Sequence, residues 1–396
     1  MNELKRRNFL KLSGLAMVPA LLPSLSKAEA LKIDERNDTP APQLISFTDD
    51  GIHYPPDEYI AKLQEISKKD PIKADVYGSG GAVAALQKKF AEITKKEAAI
   101  YMPTGTMANQ LAISVLSGEN TKIFVQDTSH IYRDEADAAQ SVHNKRLMPL
   151  APNEPYFTLD ELKKGIDYTN DGEVFKSGIG AVAIENPVRR CDGRQVPIDE
   201  IKKISEYCRG KGYKLHLDGA RLYLASAFGG AAIADYASYF DTVYISLYKY
   251  LGADGGAILC GDKAVIDKME HLIKVHGGTV FMNWSKAAMA LYNLDGLEDR
   301  LKKTAAQATD LFEKLNKVPG INITTLKSGS NIFDFKVPPG IDVKKFRKGL
   351  YDNYKVLTRG AGPDGIIKLQ VNETLLRTDN QFLVKAFSDS LAAAKA

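Results

Sequence analysis

The chain has 396 residues, of which 44% are hydrophobic and 26% are charged, a balance typical of a folded protein with room for more than one domain. Its formal net charge is +4, and five basic against two acidic residues within the first 30 account for most of this excess. The rest of the sequence is nearly neutral, which argues against a nucleic-acid-binding surface.

The first 30 residues have the pattern of an export signal. A charged start precedes an apolar run over Leu12–Leu22 and the small-x-small sequence Ala28-Glu29-Ala30, which is typical of a cleavage site. The pair Arg6-Arg7 opens a segment that resembles the twin-arginine motif, which directs folded proteins across a membrane. Because the apolar run is short for a bilayer span, we expect a cleaved signal, no stable membrane span afterwards, and a periplasmic or otherwise exported protein. An uncleaved anchor is the alternative.

Residues 31–55 are rich in Pro and Asp and predict an extended arm. Helical and strand patterns then alternate to about residue 290. Strand patterns occur at Ala98–Met102, Ile123–Val125, Ala181–Ile184, Tyr213–Leu217 and Thr242–Ile245, and helical patterns at Ala82–Ile93, Thr106–Leu116 and Pro197–Arg209. This alternation predicts an α/β fold in which helices cover both faces of a mostly parallel sheet.

From about residue 291 the pattern changes to that of a small α+β domain. A long helical pattern over 296–317 leads to strand patterns at 321–325, 332–337 and 366–371, with helices at 343–354 and from 379 onward. We therefore predict a signal peptide over 1–30, an arm over 31–55, a large domain over 56–290 and a smaller C-terminal domain over 291–396. Ligands of open α/β sheets bind at the carboxyl ends of strands, so the candidate site residues are those that follow strands.

Thr104, Gly105 and Thr106 lie between a predicted strand and a predicted helix. Free N–H groups at a helix start, with two hydroxyls beside a glycine, can bind a phosphate. Capping of the helix by Thr104 or Thr106 explains these residues equally well.

Asp218 and Arg221 follow the predicted strand Tyr213–Leu217. A buried carboxylate here could pair with the protonated ring nitrogen of a cofactor, since an opposite charge within ~4–6 Å keeps both groups ionised. The alternative is that Asp218 caps the helix that follows. His216 alternates with two leucines, and we interpret it as a structural residue of the strand.

Lys249 is a lone lysine in an apolar, glycine-rich segment, three residues after Ser246. Burial favours the neutral amine, which condenses with an aldehyde, and the Ser246 hydroxyl could reach the phosphate of the same cofactor. A surface lysine with a buried stem is the alternative. His130, after the strand Ile123–Val125, could stack on a cofactor ring and transfer protons, or be a surface histidine of a loop.

Cysteine and histidine usage indicates neither disulfides nor a metal. The three cysteines are too few and too scattered for a disulfide framework. The six histidines are dispersed and show no metal-ligand spacing with the cysteines. We therefore expect no bound metal.

Together these clusters resemble the threonine aldolase / β-eliminating lyase family of fold-type-I pyridoxal-phosphate enzymes, from about Ser46 to the C-terminus. The resemblance implies the fold-type-I architecture, pyridoxal 5′-phosphate as cofactor, and a homodimer or homotetramer. It also implies that Lys249 binds the cofactor covalently and that Asp218 pairs with its ring nitrogen. The remaining cofactor contacts would come from Thr104, Gly105, Thr106 and Ser246 around the phosphate, His130 stacked on the ring, and Arg221 beside the ring and the substrate.

On the substrate side the sequence departs from the family pattern. Thr48 stands where the family usually has a serine near the substrate carboxylate, and Lys368 where it has the arginine that binds this carboxylate. A lysine cannot form the planar two-bond contact of a guanidinium. The segments after Glu185-Asn186 and at Gly277–Asn283 also differ. The resemblance thus implies an intact cofactor half and an altered substrate half.

The implied function is cleavage of the Cα–Cβ bond of a β-hydroxy amino acid into glycine and an aldehyde. Lys249, His130 and Asp218 are the expected catalytic residues, with His130 or an ordered water as the base. β-Elimination, or another reaction at Cα such as racemisation, would use the same cofactor and stays open. A non-enzymatic alternative is an exported binding protein on a retired enzyme scaffold, which would lack a reactive lysine.

Overall fold

The structure is a computed structural model that describes residues 43–395. The predicted signal peptide and most of the predicted arm lie outside the described residues, so both stay predictions. No helix within the described range is long and apolar enough to cross a bilayer.

The strands form one large sheet, one small sheet and one isolated pair. They are β1 (Ile45–Ser46), β2 (Ala98–Met102), β3 (Lys122–Gln126), β4 (Arg146–Leu150), β5 (Ile179–Glu185), β6 (Lys214–Asp218), β7 (Thr242–Ser246), β8 (Ala257–Gly261), β9 (Asn322–Thr325), β10 (Ile332–Lys336), β11 (Val356–Leu357) and β12 (Ile366–Gln370). The large sheet has the order β2-β8-β7-β6-β5-β3-β4, in which β8 is antiparallel to both neighbours and all other pairs are parallel. The small sheet, β12-β10-β9, is antiparallel.

Helices connect most of these strands. They are α1 (Pro56–Lys69), α2 (Gly81–Thr94), α3 (Gly105–Ser117), α4 (His130–Arg133), α5 (Ala138–His143), α6 (Leu159–Asp171), α7 (Ile198–Lys211), α8 (Leu222–Gly229), α9 (Ile233–Ser238), α10 (Lys263–Ile266), α11 (Met269–Val275), α12 (Trp284–Leu294), α13 (Leu297–Leu315), α14 (Val343–Tyr354) and α15 (Asn380–Ala393). Helix α3 packs across the central strands β5 to β8, and α7 packs on β6.

The sequence pattern explains the large sheet. Every residue of β3, β5 and β7 is buried, as expected for parallel strands that helices cover on both faces. The predicted α/β class with a mostly parallel sheet is confirmed. The pattern did not predict β4 or β8, and the antiparallel direction of β8 follows because it returns from β7 through a short, glycine-rich segment.

The C-terminal part has its own hydrophobic core. Four phenylalanines, Phe47, Phe335, Phe346 and Phe387, meet edge to face in this core at centroid distances of 5.8–6.1 Å. Strand β1 pairs in parallel with β11, so the first described residues are built into this part of the fold. The predicted helix over 296–317 is α13, whose first half packs in the core of the large sheet and whose second half packs here.

Candidate active site

Three of the predicted site residues come from the ends of parallel strands. Asp218 ends β6, His130 opens α4 just after β3, and Lys249 follows β7 by three residues. Neighbouring parallel strands end at the same edge of a sheet, so the fold brings residues that are distant in sequence to one place.

A buried hydrogen-bond network joins Asp218 to His130. The Asn109 side-chain nitrogen donates to Asp218 Oδ2 at 2.9 Å and to Glu135 Oε1 at 2.8 Å. His130 Nδ1 lies 2.9 Å from the same Glu135 oxygen. The Ala220 N–H donates to Asp218 Oδ1 at 3.1 Å. A ring nitrogen of His130 and one carboxylate oxygen each of Glu135 and Asp218 lie within 4.8 Å of one another. Two carboxylates and an imidazole therefore form one cluster.

His216 fixes the orientation of Asn109. Burial lowers the pKa of His216 to about 3, so its ring is neutral. Its Nε2 lies 2.9 Å from Asn109 Oδ1, and its Nδ1 lies 2.8 Å from the Thr242 hydroxyl. Because an amide oxygen only accepts, Nε2 carries the proton and the Thr242 hydroxyl donates to Nδ1. The Asn109 nitrogen therefore faces the carboxylates, and His216 has the structural role that the sequence indicates.

Glu135 sets the protonation of His130. Its hydrogen bond raises the pKa of His130 above the ordinary value of 6.5, although burial opposes this. The pKa of Glu135 is raised as well, because burial outweighs its hydrogen bonds. With Nδ1 held as a donor by the carboxylate, Nε2 is the nitrogen left to exchange a proton. The His130 side chain is 34% exposed, so a ligand can reach it.

Glu185, at the end of β5, is a further buried acid that the sequence reasoning missed. Its carboxylate accepts the backbone N–H of His130 at 2.6 Å and of Arg189 at 2.8 Å. Burial and the nearby Asp218 carboxylate raise the pKa of Glu185. A signal was present, since Glu185 ends the apolar strand beside the one that ends in Asp218.

The start of α3 has backbone groups suited to an anion. Thr104 caps the helix, because its hydroxyl accepts the Met107 N–H at 3.2 Å. The N–H groups of Gly105 and Thr106 have no intrahelical acceptor, as at any helix start. The capping alternative therefore holds for Thr104, while Gly105 and Thr106 keep free donors for a ligand.

The packing around Gly105 allows no side chain. A Cβ there would lie 2.1 Å from the Tyr244 hydroxyl oxygen, so only glycine fits. Ser246 is on the same face of β7 as Tyr244. The Ser246 hydroxyl is fully buried and has no hydrogen-bond partner within residues 43–395, a state that usually signals a missing ligand or water.

Lys249 and Arg221 line one cavity of about 460 Å³. The Lys249 side chain is half-buried, and its Nζ lies 4.5 Å from the centre of the Tyr248 ring, another residue of the wall. The sequence predicts that this amine is buried from solvent, and the structure buries it only in part. Much of the wall is charged, with side chains of Asp49, Asp50, Arg189, Arg190 and Arg359.

A chain of hydrogen bonds fixes the arginines of the wall. Arg221 Nε donates to Asp50 Oδ2 at 2.8 Å, and Asp50 Oδ1 accepts from Gln370 Nε2 at 2.6 Å. Gln370 Oε1 accepts from Arg359 at 2.7 Å. Arg359 Nε also donates to the Thr48 carbonyl oxygen at 3.1 Å. Thr48, predicted to contact the substrate, thus orients an arginine through its backbone and does not line the cavity in the described structure.

Lys368 does not take the position predicted for it. Its Nζ pairs with Asp192 at 2.9 Å and with Asp334 at 2.8 Å, and its side chain is absent from the described cavity wall. Two carboxylates therefore neutralise the lysine that was expected to bind a substrate carboxylate. Arg359 is the cation that the C-terminal part contributes to the described cavity wall. No sequence motif marks this residue, because it follows a strand of only two residues.

Comparison with known proteins identifies the family. A model of the beta-eliminating lyase family matches residues 61–337, more than half of the chain. The chain belongs to the beta-eliminating lyase family. It is 36% identical to the low-specificity L-threonine aldolase of Candida albicans over 229 residues, which are 56% of this chain and 60% of that protein. It is 32% identical to an alanine racemase of Cochliobolus carbonum over 212 residues, 53% of each chain.

Solved structures agree with this family assignment. A crystal structure from Exiguobacterium sp. 255-15, provisionally described as an aromatic amino acid beta-eliminating lyase/threonine aldolase, superposes with a TM-score of 0.73 at 26% identity. The match covers 88% of this chain and 96% of that one. The fold-type-I architecture and the family resemblance are therefore confirmed. The chain spans about 60% of the length of the Candida albicans member of the beta-eliminating lyase family.

Proposed function

We propose that this protein is a pyridoxal-phosphate-dependent lyase that cleaves the Cα–Cβ bond of a β-hydroxy amino acid into glycine and an aldehyde. The observation that carries the proposal is that Lys249 and Arg221 line one cavity, and that Arg221 lies close enough to Asp218, in the buried network with His130, for their charges to interact. The threonine aldolase among its relatives supports the same reaction.

The residues present fit pyridoxal phosphate. Because Tyr244 packs closely against Gly105, no side chain at position 105 covers the backbone N–H groups at the start of α3. The buried Ser246 hydroxyl lacks a hydrogen-bond partner within the described residues. Gly105 and Ser246, with Thr106, would hold the phosphate. Lys249 would hold the aldehyde carbon, and Asp218 would pair with the ring nitrogen. These are the contacts that an aldehyde, an anion and a basic ring nitrogen require.

Bound pyridoxal phosphate supplies an electron sink for the pair of electrons released at the substrate Cα. The buried Asp218 carboxylate, oriented by Asn109 and by the Ala220 N–H, favours a proton on a ring nitrogen beside it. Arg221, held by Asp50, places a guanidinium in the wall of the cavity that Lys249 also lines. Both effects stabilise negative charge that develops in the site.

His130 is the proposed base. Its neutral Nε2 would accept the proton of the substrate hydroxyl, and Glu135 would stabilise the ring once it is protonated. Because this contact raises the pKa of His130, the neutral form is depleted at and below that raised value. Activity should therefore increase with pH through a pKa above 6.5.

A second candidate is another reaction at Cα, racemisation or β-elimination. The alanine racemase among the relatives favours it. Residues 186–190 depart from the threonine aldolase pattern, and two of them, Arg189 and Arg190, line the cavity. The departure therefore changes the wall of the cavity, which also favours the second candidate. Racemisation would interconvert enantiomers without forming glycine, and elimination would release pyruvate and ammonia from serine.

Export by the twin-arginine route and a homodimeric or homotetrameric state complete the proposal. The sequence of residues 1–30 supports export; a reporter fused to these residues should be exported, and Arg6-Arg7→Lys-Lys should block it. Tyr77 and Phe281, both more than half exposed with ring centroids 5.2 Å apart, support contact with a second copy. Light scattering on the purified protein tests the assembly.

Product analysis tests the proposed reaction. The loaded protein is supplied with threonine, allo-threonine or phenylserine, and glycine and the matching aldehyde are quantified, with Lys249→Ala as the inactive control. Equal amounts of glycine and aldehyde are expected from at least one of these substrates. Enantiomer exchange or pyruvate without glycine would instead select the second candidate. Absence of any turnover, with no cofactor retained, would leave the retired-scaffold alternative.

A further inference from the structure

We propose that Arg359 is the residue that binds the substrate α-carboxylate, in place of Lys368. This inference rests on the proposed function, since it concerns the amino acid bound in the same cavity. It assigns a specificity residue that the sequence motifs do not indicate.

Arg359 is the arginine of the described cavity wall that has no carboxylate partner. Arg221 is paired with Asp50, while Arg189 and Arg190 share Asp134. Within residues 43–395, the Arg359 guanidinium has no carboxylate partner within 4.0 Å. Its hydrogen bonds go to neutral groups, the Thr48 carbonyl and the Gln370 side-chain oxygen. An unpaired guanidinium at a cavity wall attracts an anionic ligand.

The fold places Arg359 there by a short strand pair. Ser46 of β1 pairs with Leu357 of β11, and the Phe47 N–H donates to the Leu357 carbonyl at 2.9 Å. Two residues beyond this register, Arg359 meets Thr48, and the chain continues to Asp49 and Asp50 in the cavity wall. The Thr48 carbonyl oxygen and the Gln370 side-chain oxygen thus accept from Nε and Nη2 of the arginine, and Nη1 is left free within the described residues.

Lys368 is poorly placed to bind the substrate α-carboxylate in this chain. A carboxylate that approached its amine would compete with Asp192 and Asp334, which already surround it at 2.8–2.9 Å. Arg359 Nε and Nη2 already donate to Thr48 and Gln370, but both N–H groups of Nη1 are free within the described residues and can bind a carboxylate oxygen. The altered lysine position therefore does not leave the site without a carboxylate anchor.

Ligand titration of the loaded protein tests this assignment. Glycine and glycinamide, which differ in the carboxylate, are titrated against the cofactor absorbance, and covalent retention at Lys249 is checked by mass spectrometry. Arg359→Met should weaken glycine binding about 10- to 100-fold, leave glycinamide unchanged, and leave the cofactor in place. Arg359→Lys should give an intermediate loss. Arg194, whose Nε donates to a backbone carbonyl outside the cavity, provides Arg194→Met as the matched control.

Lys368→Met is the competing variant. If it abolishes the preference for glycine and Arg359→Met keeps it, the assignment is overturned. A melting temperature for each variant separates lost binding from lost folding.

A second measurement does not depend on the cofactor. Phenylglyoxal modifies accessible arginines, and the modified positions of cofactor-free protein are mapped with and without N-acetylglycine. Protection of Arg359 but not of Arg194 is expected. If the wild-type protein retained no cofactor, the proposed function would be wrong. The phenylglyoxal experiment would still decide whether Arg359 binds a carboxylate, because it uses cofactor-free protein. Equal modification of Arg359 with and without the ligand would overturn the assignment.

Discussion

Replacement of Asn109 by alanine is the perturbation for which the buried network predicts the largest effect. The side chain is fully buried and makes hydrogen bonds of 2.8–2.9 Å with Glu135, Asp218 and His216. The two bonds to carboxylates contribute about 1.5–3 kcal/mol each, and the neutral one about 1 kcal/mol. The free energy of unfolding should therefore fall by about 4–7 kcal/mol at neutral pH.

Gln126 provides a matched control for this substitution. It is also a fully buried amide with three hydrogen bonds, but its partners are neutral backbone groups of Pro155 and Glu185. Gln126→Ala should cost about 3 kcal/mol, because each neutral bond contributes about 1 kcal/mol. The difference between the variants isolates the effect of donating to carboxylates.

The dependence on pH gives the sharper contrast. The Asn109 amide stabilises the ionised carboxylates, and burial raises the pKa of Glu135, so this group binds a proton while the pH is still above the usual range for glutamate. As the pH falls through that raised pKa, Glu135 becomes neutral and its hydrogen bond to Asn109 is no longer a bond to a charged group. The decrease in the free energy of unfolding caused by Asn109→Ala therefore becomes smaller. The loss caused by Gln126→Ala should stay constant.

Urea unfolding of the cofactor-free proteins, followed by circular dichroism at about pH 8 and about pH 5, measures both effects. We expect the Asn109→Ala penalty to exceed that of Gln126→Ala at the higher pH and to approach it at the lower. A penalty for Asn109→Ala that is no larger than the control and is the same at both pH values would refute the network as described.

Further predictions concern single residues of the same site. Gly105→Ala, whose Cβ would lie 2.1 Å from the Tyr244 oxygen and 2.5 Å from ring atom Cζ, should weaken cofactor binding by about 1–3 kcal/mol, as measured by equilibrium dialysis, and Tyr244→Leu in the same protein should restore part of it because it removes these atoms. Glu135→Gln should move the acid limb of the pH–rate profile to lower pH, because a neutral amide replaces the carboxylate acceptor that raises the pKa of His130; an unmoved limb would exclude His130 as the titrating base. Asp218→Asn should retain the cofactor but lower kcat by about 10²-fold or more, and unchanged turnover would argue against its pairing with the ring.

Local sequence signals were sufficient for five strands of the large sheet, β2, β3, β5, β6 and β7, and for the residues that follow them, but not for β4 and β8. The buried strands β3, β5 and β7 contain continuous apolar runs, and β6 alternates leucines with polar residues; His130, Asp218 and Lys249 stand out at or after the ends of these strands. Parallel strands end at one edge of a sheet, so the pattern alone predicts that such residues meet.

The rest of the site depends on contacts that no local pattern encodes. Asn109 lies within an apolar helix and appears as one of its polar positions until the fold sets it between Asp218 and Glu135. Arg359 reaches the cavity only because β11 pairs with β1, more than 300 residues away in sequence. The role given to Lys368 followed a motif position, and its neutralisation by Asp192 and Asp334 is visible only in three dimensions.

Chemical fixation of the cofactor tests the central claim most directly. The purified protein, loaded with pyridoxal phosphate, is reduced with borohydride, digested and mapped by mass spectrometry. A single phosphopyridoxyl group on Lys249, absent from Lys249→Ala, is the predicted result. Attachment to another lysine, or no attachment at a protein concentration and loading at which a known family member reacts fully, would contradict the account.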